Sequence, residues 1–380
     1  MGPLSGAKII EFAAIGAAPM TCMILADLGA TVLHVERTQP SGLGLYRPPE
    51  FDLLLRGRQS VAIDLKSEAG KGLALDLLSG ADAMIEGFRP GVMERLGLGP
   101  EVCLERNPKL VYGRMTGWGQ DGPHAKNAGH DINYISLTGI LDALGPEDGV
   151  PTPPLNIVGD YGGALFLAIG VLSALWEAQR SGKGQVVDAA MVDAANLLTT
   201  SYHAYMLAGV WKRERGMNIQ TGDAFFYCVY KCADGKELAV GAVEEKFYKQ
   251  MLKGFGFDPA DLPPQHDRSR WKEGRKILAE RIKTKSRDAW SQIFEGTDSC
   301  VSPVLSFDEA KTDKHSRARD GFIDVGGIMQ PAPAPRFSRT KAKVASPPPL
   351  DGGKNPERVL PLWGFDANAI EKLKKQGAFG

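Results

Sequence analysis

Through the first half of the chain, apolar residues come in short runs, then at helical spacing, then in short runs again. KIIEFA (8–13) reads as a buried strand, IGAAPM (15–20) as a turn, TCMILADLGA (21–30) as a helix ending on Gly29, and TVLHVER (31–37) as a second strand. Such a β-α-β unit implies a parallel sheet with right-handed crossovers. SVAIDL (60–65), AMIEGF (83–88), LVYGRM (110–115) and QVVDAAM (185–191) continue the strand series, with helical GKGLALDLLSG (70–80) and ERLGL (94–98) between them. The expected fold is α/β, its strands covered on both faces.

The apolar segment 161–180 predicts a long helix following Asp160 and stopping at SGKG, where Gly182 and Gly184 suit a helix C-terminus. A second helical stretch runs on from QVVDAAM through Tyr205. The texture then changes. AFFYCVYKCADGKELAVGAV (224–243) reads as a hairpin turning at Asp234-Gly235, and amphipathic helices around 247–255 and 271–294 follow it. Residues 215–315 therefore form a smaller α+β domain. PAPAPRFSRT and SPPPLDGG are proline-rich and extended. FDANAIEKLKKQG (365–377) predicts a closing helix with Asp366 as N-cap, lysines in its last turn and Gly377 as its stop, returning to the first domain.

Composition narrows the chemistry. A chain of 380 residues, 43% hydrophobic, has room for about two domains and a true cleft. Basic and acidic residues number 45 each, so no basic excess points to nucleic acid, and an anionic ligand needs a local cluster. Arg37, Arg56, Arg58, Lys66, Arg89 and Arg95 supply one, at the ends of successive βα units. The five scattered cysteines and the absence of a charged n-region followed by an apolar h-region point to a reducing, cytoplasmic setting. Cys228 and Cys232 have no second pair or His partner nearby and read as packed thiols rather than zinc ligands. No uninterrupted apolar run reaches ~18 residues, so no membrane span is expected.

Glu36 ends the second strand where a ribose-binding acid would sit. IGAAPM holds a single glycine, however, and lacks the pair that lets a pyrophosphate approach the backbone, so a dinucleotide is not expected. Nucleophile-elbow, zincin and Walker patterns are also missing. What remains is GHDINY (129–134), which sets one of only six histidines, His130, against Asp131. The glycine-rich MTGWGQDGP precedes it and a strand leads in, which places it at the carboxyl end of a parallel sheet. PPLNIVGDYGG sets Asn156 and Asp160 four apart at the start of the long helix, either as an ordinary N-cap or as a second acid of the same site. Glu244 is a third acid, at a helix start in the smaller domain. Met191, Met206 and Met217 fit either an adaptable apolar surface or ordinary core packing.

In this order, GPLSGAKIIEF, ADLGATVLHVER, IDLKS, EGFRPGVMERLGLGP, RMTGWGQDGP, AGHDINYISLTG, PPLNIVGDYGG, SGKGQVVDAAMVD, PPQHDRSRW and PAPRFSRT resemble stretches of the class III CoA-transferase family, and within it of racemases acting on 2-methylacyl-CoA thioesters. The resemblance covers nearly the whole chain. It implies a Rossmann-like large domain (1–200) carrying the coenzyme A and catalytic groups, a linker (201–214), the small α+β domain (215–315), and a linker with C-terminal return to the large domain (316–380), in an interlocked homodimer. It also implies that His130 and Asp160 exchange the alpha proton of an acyl-CoA, that Glu244 contacts the histidine, and that Asn156 supports the aspartate. Arg37, Ile63, Asp64, Leu65, Lys66, Gly87, Phe88, Arg89, Arg95 and the backbone of Gly129, His130, Asp131, Ile132, Asn133 and Tyr134 would hold coenzyme A, which is part of the substrate. No separate cofactor is implied.

Gly57 and Gln59 depart from the family pattern, which commonly has Asn and a basic residue there, and this loosens the expectation at the adenine end. Abstracting a proton beside a thioester needs a base on one face, an acid on the other, and a donor for the enolate oxygen; backbone N–H groups at Gly129–Asp131 or at the helix start by Asp160 are the candidates. Two other readings use the same residues. One is coenzyme A transfer between carboxylic acids with Asp160 as nucleophile through an anhydride, and the other is acyl-CoA binding without chemistry. Relatives that transfer coenzyme A generally lack the histidine of GHD and often carry Asn where Glu86 stands, so both residues favour racemisation.

Overall fold

A computed structural model describes residues 2–39, 42 and 44–380; Met1, Pro40, Ser41 and Leu43 lie outside the described residues. In chain order the elements that position the site are β1 (Lys8–Phe12), α1 (Ala17–Asp27), β2 (Thr31–Glu36), β3 (Arg58–Ala62), α2 (Glu68–Ser79), β4 (Ala83–Glu86), α3 (Val92–Arg95), α4 (Pro100–Arg106), β5 (Val111–Thr116) and α5 (Asp131–Ser136). There follow α6 (Ile140–Ala143), a π-helical turn (Ile157–Tyr161), α7 (Gly162–Ser181), β6 (Val186–Ala190), α8 (Met191–Leu198) and α9 (Thr200–Leu207). Beyond them come β7 (Tyr227–Lys231), β8 (Glu237–Gly241), α10 (Glu245–Phe255), α11 (Trp271–Ile282), α12 (Arg287–Phe294), β9 (Val301–Pro303), β10 (Phe322–Val325) and β11 (Ile328–Pro331).

Two compact units result: 1–138, 154–199 and 322–380 form the first, and 139–153 with 200–321 the second. The first is built on a six-stranded, wholly parallel sheet in the order β3-β2-β1-β4-β5-β6. Strand periodicity assigns its side chains to two layers. Ile10, Phe12, Leu33, Val61, Met84 and Tyr112 face α2, α4 and the C-terminal return, while Ile9, Val32, Ala83, Ile85 and Val111 face α1 and α7.

Connections β1 to β2 and β5 to β6 step in opposite directions along the sheet, yet α1 and α7 lie on the same face. Two such crossovers have opposite hands, so the last one departs from the expected right-handed rule. Its chain runs through residues 139–153 of the second unit before α7 forms, so it is no compact strand-helix-strand unit.

Several local expectations shift. Helix α1 begins at Ala17, inside the stretch expected to turn, because Pro19 falls in the first helical turn, where its missing N–H costs nothing. The stretch through Tyr205 is two helices parted at Thr199, whose hydroxyl turns back to the Asn196 carbonyl at 2.7 Å. Residues 271–294 also divide in two, since Ser286 caps α12 by accepting the Ala289 N–H. Residues 157–181 make one helical stretch long and apolar enough to cross a membrane by length and composition. In the sheet unit its small inward residues, among them Gly163, Ala164, Ala168 and Ala174, pack on β5 and β6.

In the second unit, β7 and β8 form the expected antiparallel hairpin. Its loop is three residues, Ala233–Gly235, closed by the Cys232 N–H on the Lys236 carbonyl at 2.8 Å, with Gly235 in the left-handed conformation that completes such a turn. Strand β9 adds on β8, and Phe225, Phe226, Phe255, Trp271 and Trp290 fill the core beside Cys228 and Cys232.

The C-terminal helix, Ala367–Lys375, starts on the Asp366 cap and is followed by Gly377 at φ 77°. It returns to the sheet unit: Ile370 and Ala378 join the core, and the Ala378 carbonyl receives the Asp64 N–H at 2.9 Å.

Beneath α1 lies a buried charge chain. Glu11 contacts Arg58 Nε at 2.9 Å and His34 Nδ1 at 3.2 Å, and His34 Nε2 reaches Glu36 at 3.2 Å. Burial disfavours the imidazolium, but the two carboxylates outweigh it and raise the His34 pKa from 6.5 to about 9. A raised folded-state pKa contributes stability that is complete below the unfolded value and is lost as pH rises through the folded one. The free energy of unfolding, measured by denaturant titration, is expected to fall between pH 7 and 9.5 by an amount on the order of 3 kcal/mol. His34→Gln should abolish that slope; an unchanged slope in the variant would refute the assignment.

Candidate active site

All strands of the sheet point the same way, so the loops leaving their carboxyl ends share one edge. The residues expected to hold coenzyme A collect there. Arg37 follows β2, Ile63–Lys66 follow β3, Gly87–Arg89 follow β4, and Arg95 ends α3. The Arg37 guanidinium lies 5.3 Å over the Phe88 ring, and Lys66, Arg89 and Arg95 are exposed. Each of two strands ends on a glutamate that shapes the loop beyond it. Glu36, anchored by His34, accepts the Arg37 N–H at 2.7 Å, and Glu86, anchored by Arg114 Nε at 2.9 Å, accepts the Phe88 N–H at 2.7 Å. Burial pushes the Glu86 carboxyl up to about 7, against the pull of the Phe88 N–H and of Arg114. Glu36 is thus a loop-shaping acid of the edge.

The GHDINY loop answers to the glycine-rich loop before it. Tyr134 is buried edge-on against Trp118, ring centroids 4.9 Å apart, and donates its hydroxyl to the Gly129 carbonyl. A Cβ on Gly117 would meet the Tyr134 ring at 2.1 Å, and one on Gly129 at 2.7 Å. The glycines are there for close approach, and His130 is fixed immediately beyond them as the residue preceding α5. Its N–H donates to Asn133 Oδ1 at 3.0 Å while its carbonyl accepts the Asn133 N–H at 2.8 Å.

Asp131 turns inward. It is 6% exposed, and its Oδ1 accepts both the Gly159 N–H at 2.7 Å and the Asp160 N–H at 2.9 Å. That carboxylate ties the helix start bearing His130 to the π-turn bearing Asp160, a turn type enriched at functional sites. Asp160 is half-buried. Asn156 Nδ2 donates to its Oδ2 at 3.1 Å, and the same oxygen lies 3.5 Å from where a Cβ on Gly16 would be, at the start of α1. Burial raises the Asp160 pKa, the Asn156 donor lowers it, Asp131 raises it and His130 lowers it. The Tyr134 phenol, pushed up to about 12 by burial and by Asp160, also feels Arg89. His130, Asp160, Asn156, Tyr134 and Arg89 therefore share one electrostatic neighbourhood at the carboxyl edge.

Not every expected residue belongs there. Arg56 and Arg58 precede or open β3 at its amino end and are buried: Arg56 binds Asp27, Gln330 and the Pro331 carbonyl, and Arg58 binds Glu11. Their guanidiniums serve the fold rather than a phosphate. Gly57 and Gln59 lie at that same end. Gly57 has φ 75°, and Gln59 Oε1 accepts the Trp363 indole N–H at 2.7 Å. At ~3.3 Å per residue, Gln59 stands about 13 Å along the strand from Ile63, so these departures fall away from the ligand edge.

Glu244 sits in the second unit, exposed, as the residue preceding α10, close enough to Cys300 that its charge adds to burial in raising that thiol's pKa. Met191 is core of the sheet unit, Met206 is exposed on α9 and Met217 is half-buried in the second unit. The sequence set the Asp131 carboxylate beside His130 and its backbone against coenzyme A, whereas the side chain reaches the turn at Gly159, which no local pattern pairs with residue 131.

Comparison with known proteins identifies the family of the chain. A family model described as CoA-transferase family III matches residues 4–355. Alpha-methylacyl-CoA racemase of Mus musculus is 42% identical over 372 residues, covering 97% of this chain and 96% of that protein. The Homo sapiens protein of the same name is 38% identical over 374 residues, with the same coverage of both chains. The crystal structure of a CAIB/BAIF family protein from Brucella suis superposes with a TM-score of 0.83 at 26% identity, covering 95% of this chain and 99% of that one.

Gly117→Ala is expected to cost about 1–3 kcal/mol by forcing Tyr134 aside. Gly72→Ala, where a Cβ meets nothing within 4 Å in mid-helix α2, should be neutral or stabilising by up to ~1 kcal/mol. Denaturant midpoints of the two variants check the difference.

Proposed function

The chain belongs to CoA-transferase family III, and from that premise we propose that it racemises 2-methylacyl-CoA thioesters, passing the alpha proton between His130 and Asp160. Coenzyme A lies along the carboxyl edge, its phosphates met by Arg37, Lys66, Arg89 and Arg95 and its chain by Ile63–Leu65, Gly87–Phe88 and the backbone of 129–134. The observation that carries the reading is the half-buried Asp160 carboxyl beside Gly16, its pKa raised, within electrostatic reach of His130.

Inverting a carbon needs a proton removed from one face and another delivered to the opposite face. Neutral His130 takes the alpha proton as protonated Asp160 supplies one from across the carbon, leaving imidazolium and carboxylate. The opposite enantiomer starts from that charge pair and runs the steps in reverse. The two groups hold one proton between them before and after each turnover and two while the enolate exists, no electron changes hands, and the chemistry calls for no metal, nicotinamide or flavin. A raised Asp160 pKa favours this scheme, because the carboxylic acid must be within reach near neutral pH.

The enolate oxygen between the two steps needs donors. The Gly159 and Asp160 N–H groups are already spent on Asp131, whereas among the described residues the Asp131 and Ile132 N–H groups at the start of α5 meet no protein acceptor. These are the proposed oxyanion donors, each such donor being worth ~3–4 kcal/mol of barrier. Asn156 holds the Asp160 carboxyl. Glu244 is assigned, on the family resemblance, to orienting the histidine.

The same resemblance supports a homodimer. Leu165, Ile169 and Trp176 on α7 and Leu198 on α8 are exposed apolar residues that a second subunit would cover. Light scattering is expected to give twice the 40.9 kDa chain mass; a monomer at micromolar concentration would rule out the interlocked form.

Incubated in heavy water with a single enantiomer of a 2-methylacyl-CoA and no acceptor acid, the protein is expected to produce the other enantiomer with one solvent deuteron at the alpha carbon. His130→Gln and Asp160→Asn should each lower racemisation by roughly 10²–10⁴-fold, each retaining alpha-proton exchange with one enantiomer only. A trappable covalent enzyme–coenzyme A thioester without exchange would overturn the proposal in favour of coenzyme A transfer. Binding with neither outcome would leave an acyl-CoA carrier.

A further inference from the structure

We propose that Asp131 is a positioning residue for this reaction: its buried carboxylate sets the spacing of the two proton-carrying groups by clamping the turn of Asp160 to the helix start of His130. The inference rests on the function proposed above and extends it to a side chain that would touch neither substrate nor reacting atom.

The geometry is specific. Asp131 opens α5, where an acidic side chain ordinarily stays near the start of its own helix. Instead its carboxylate accepts from residues 28 and 29 positions further along the chain, and both hydrogen bonds land on the single atom Oδ1. Charge-assisted bonds of this kind are about twice as strong as neutral ones, and this one is shielded from water. The receiving turn is built to admit it. Gly159 is buried, and a Cβ there would stand 2.5 Å from Asp131 Oδ1 and 3.1 Å from Cγ, so no other residue lets the carboxylate in. His130 precedes Asp131 by one peptide bond, and Asp160 is itself one of the two residues held. The separation of the two proton-carrying groups therefore passes through one carboxylate and few freely rotating bonds, which is what a proton shuttle across a single carbon requires.

Charge adds a second effect. The groups facing the Asp160 carboxyl are the Asn156 amide, the Asp131 carboxylate, the His130 imidazole and the Tyr134 phenol. Of these only Asp131 is a fixed negative charge, and it favours the protonated form of Asp160 that one direction of the reaction needs. Position and charge are separable by substitution. Asn at 131 keeps an oxygen to accept both N–H groups and removes the charge, whereas Ala removes both.

The full-length protein and its Asp131→Asn and Asp131→Ala variants provide the test, with two readouts. Amide hydrogen exchange of the peptide covering 157–161 reports the clamp directly. Exchange is expected to accelerate at least tenfold in Asp131→Ala and to stay near wild type in Asp131→Asn. Alpha-proton exchange of a 2-methylacyl-CoA across pH reports the consequence. In Asp131→Ala, kcat should fall by about ten- to a hundredfold with KM changed by less than about threefold. In Asp131→Asn most of kcat should survive, while the limb of the pH profile belonging to Asp160 moves to lower pH.

Wild-type turnover and pH profile in both variants would overturn the proposal, as would unchanged amide protection in Asp131→Ala. If Asp131→Ala does not fold, the pH shift in Asp131→Asn decides alone. If the wild-type protein itself exchanges no alpha proton, the proposed function fails, yet lost protection at 157–161 still establishes the clamp, so the two failures are told apart.

Discussion

Strands β1 and β4 lie side by side at the middle of the sheet, and the chain leaves them toward opposite ends of it. That single reversal of strand order opens a crevice at the carboxyl edge, because the helices that follow, α1 and α4, cover opposite faces. The crevice floor is narrow. A Cβ on Gly87, just past β4, would meet Ala14 Cβ at 2.9 Å and Ala18 Cβ at 3.3 Å, so the two exits touch and only a glycine fits between them. Asp160 is brought to the same place by the long α7 running under the β5 and β6 half of the sheet. The site follows from topology first and from side chains second.

The buried charges beneath the edge follow the same logic. Glu36 and Glu86 each end a strand, each is anchored by a cation in the sheet, and each bends back to accept an N–H from the next residue or the one after it. A buried ion pair adds little net stability, because desolvation offsets most of its attraction, but it fixes geometry where a loop would otherwise wander. The first charge chain, Arg58–Glu11–His34–Glu36, spans three strands and delivers its last carboxylate to the loop that carries Arg37. Charge that a composition count treats as solubility is in this way converted into the shape of a ligand edge.

Much of this was legible locally. Strand runs, the Asp234-Gly235 turn, the Asp366 cap and the Gly377 stop all depend on residues within a few positions of one another, and periodicity carries that information. Helix α1 starts four residues before the expected Thr21, because Pro19 looks like a breaker unless one knows it lies in a first turn. What could not be read was pairing across distance. Arg56 and Arg58 resemble surface cations until Asp27, Gln330 and Glu11 are seen beside them, and the hand of the β5–β6 connection depends on a detour into the second unit. His130 and Asp131 invited reading as an adjacent pair with shared chemistry. Their side chains part instead, one to the edge and the other into the protein, as neighbours at a helix start do.

A racemase has to favour neither face, and this places a demand on the proton inventory of the proposed pair. If Asp160 were an ordinary exposed carboxylate, the charge pair with imidazolium would dominate and one enantiomer would find no acid. If it were buried without compensation, the acid would hold its proton and the other enantiomer would find no base. In the structure the influences oppose one another: burial and Asp131 push the carboxyl toward its protonated form, while the Asn156 donor and His130 pull it back. Asn156, four residues before Asp160, and Asp131, bound to the peptide N–H of Asp160 itself, approach from different segments of the chain. Two independent adjustments on one carboxyl allow its two states to lie close in energy while its position stays fixed, and a two-way proton transfer through a common enolate depends on that balance.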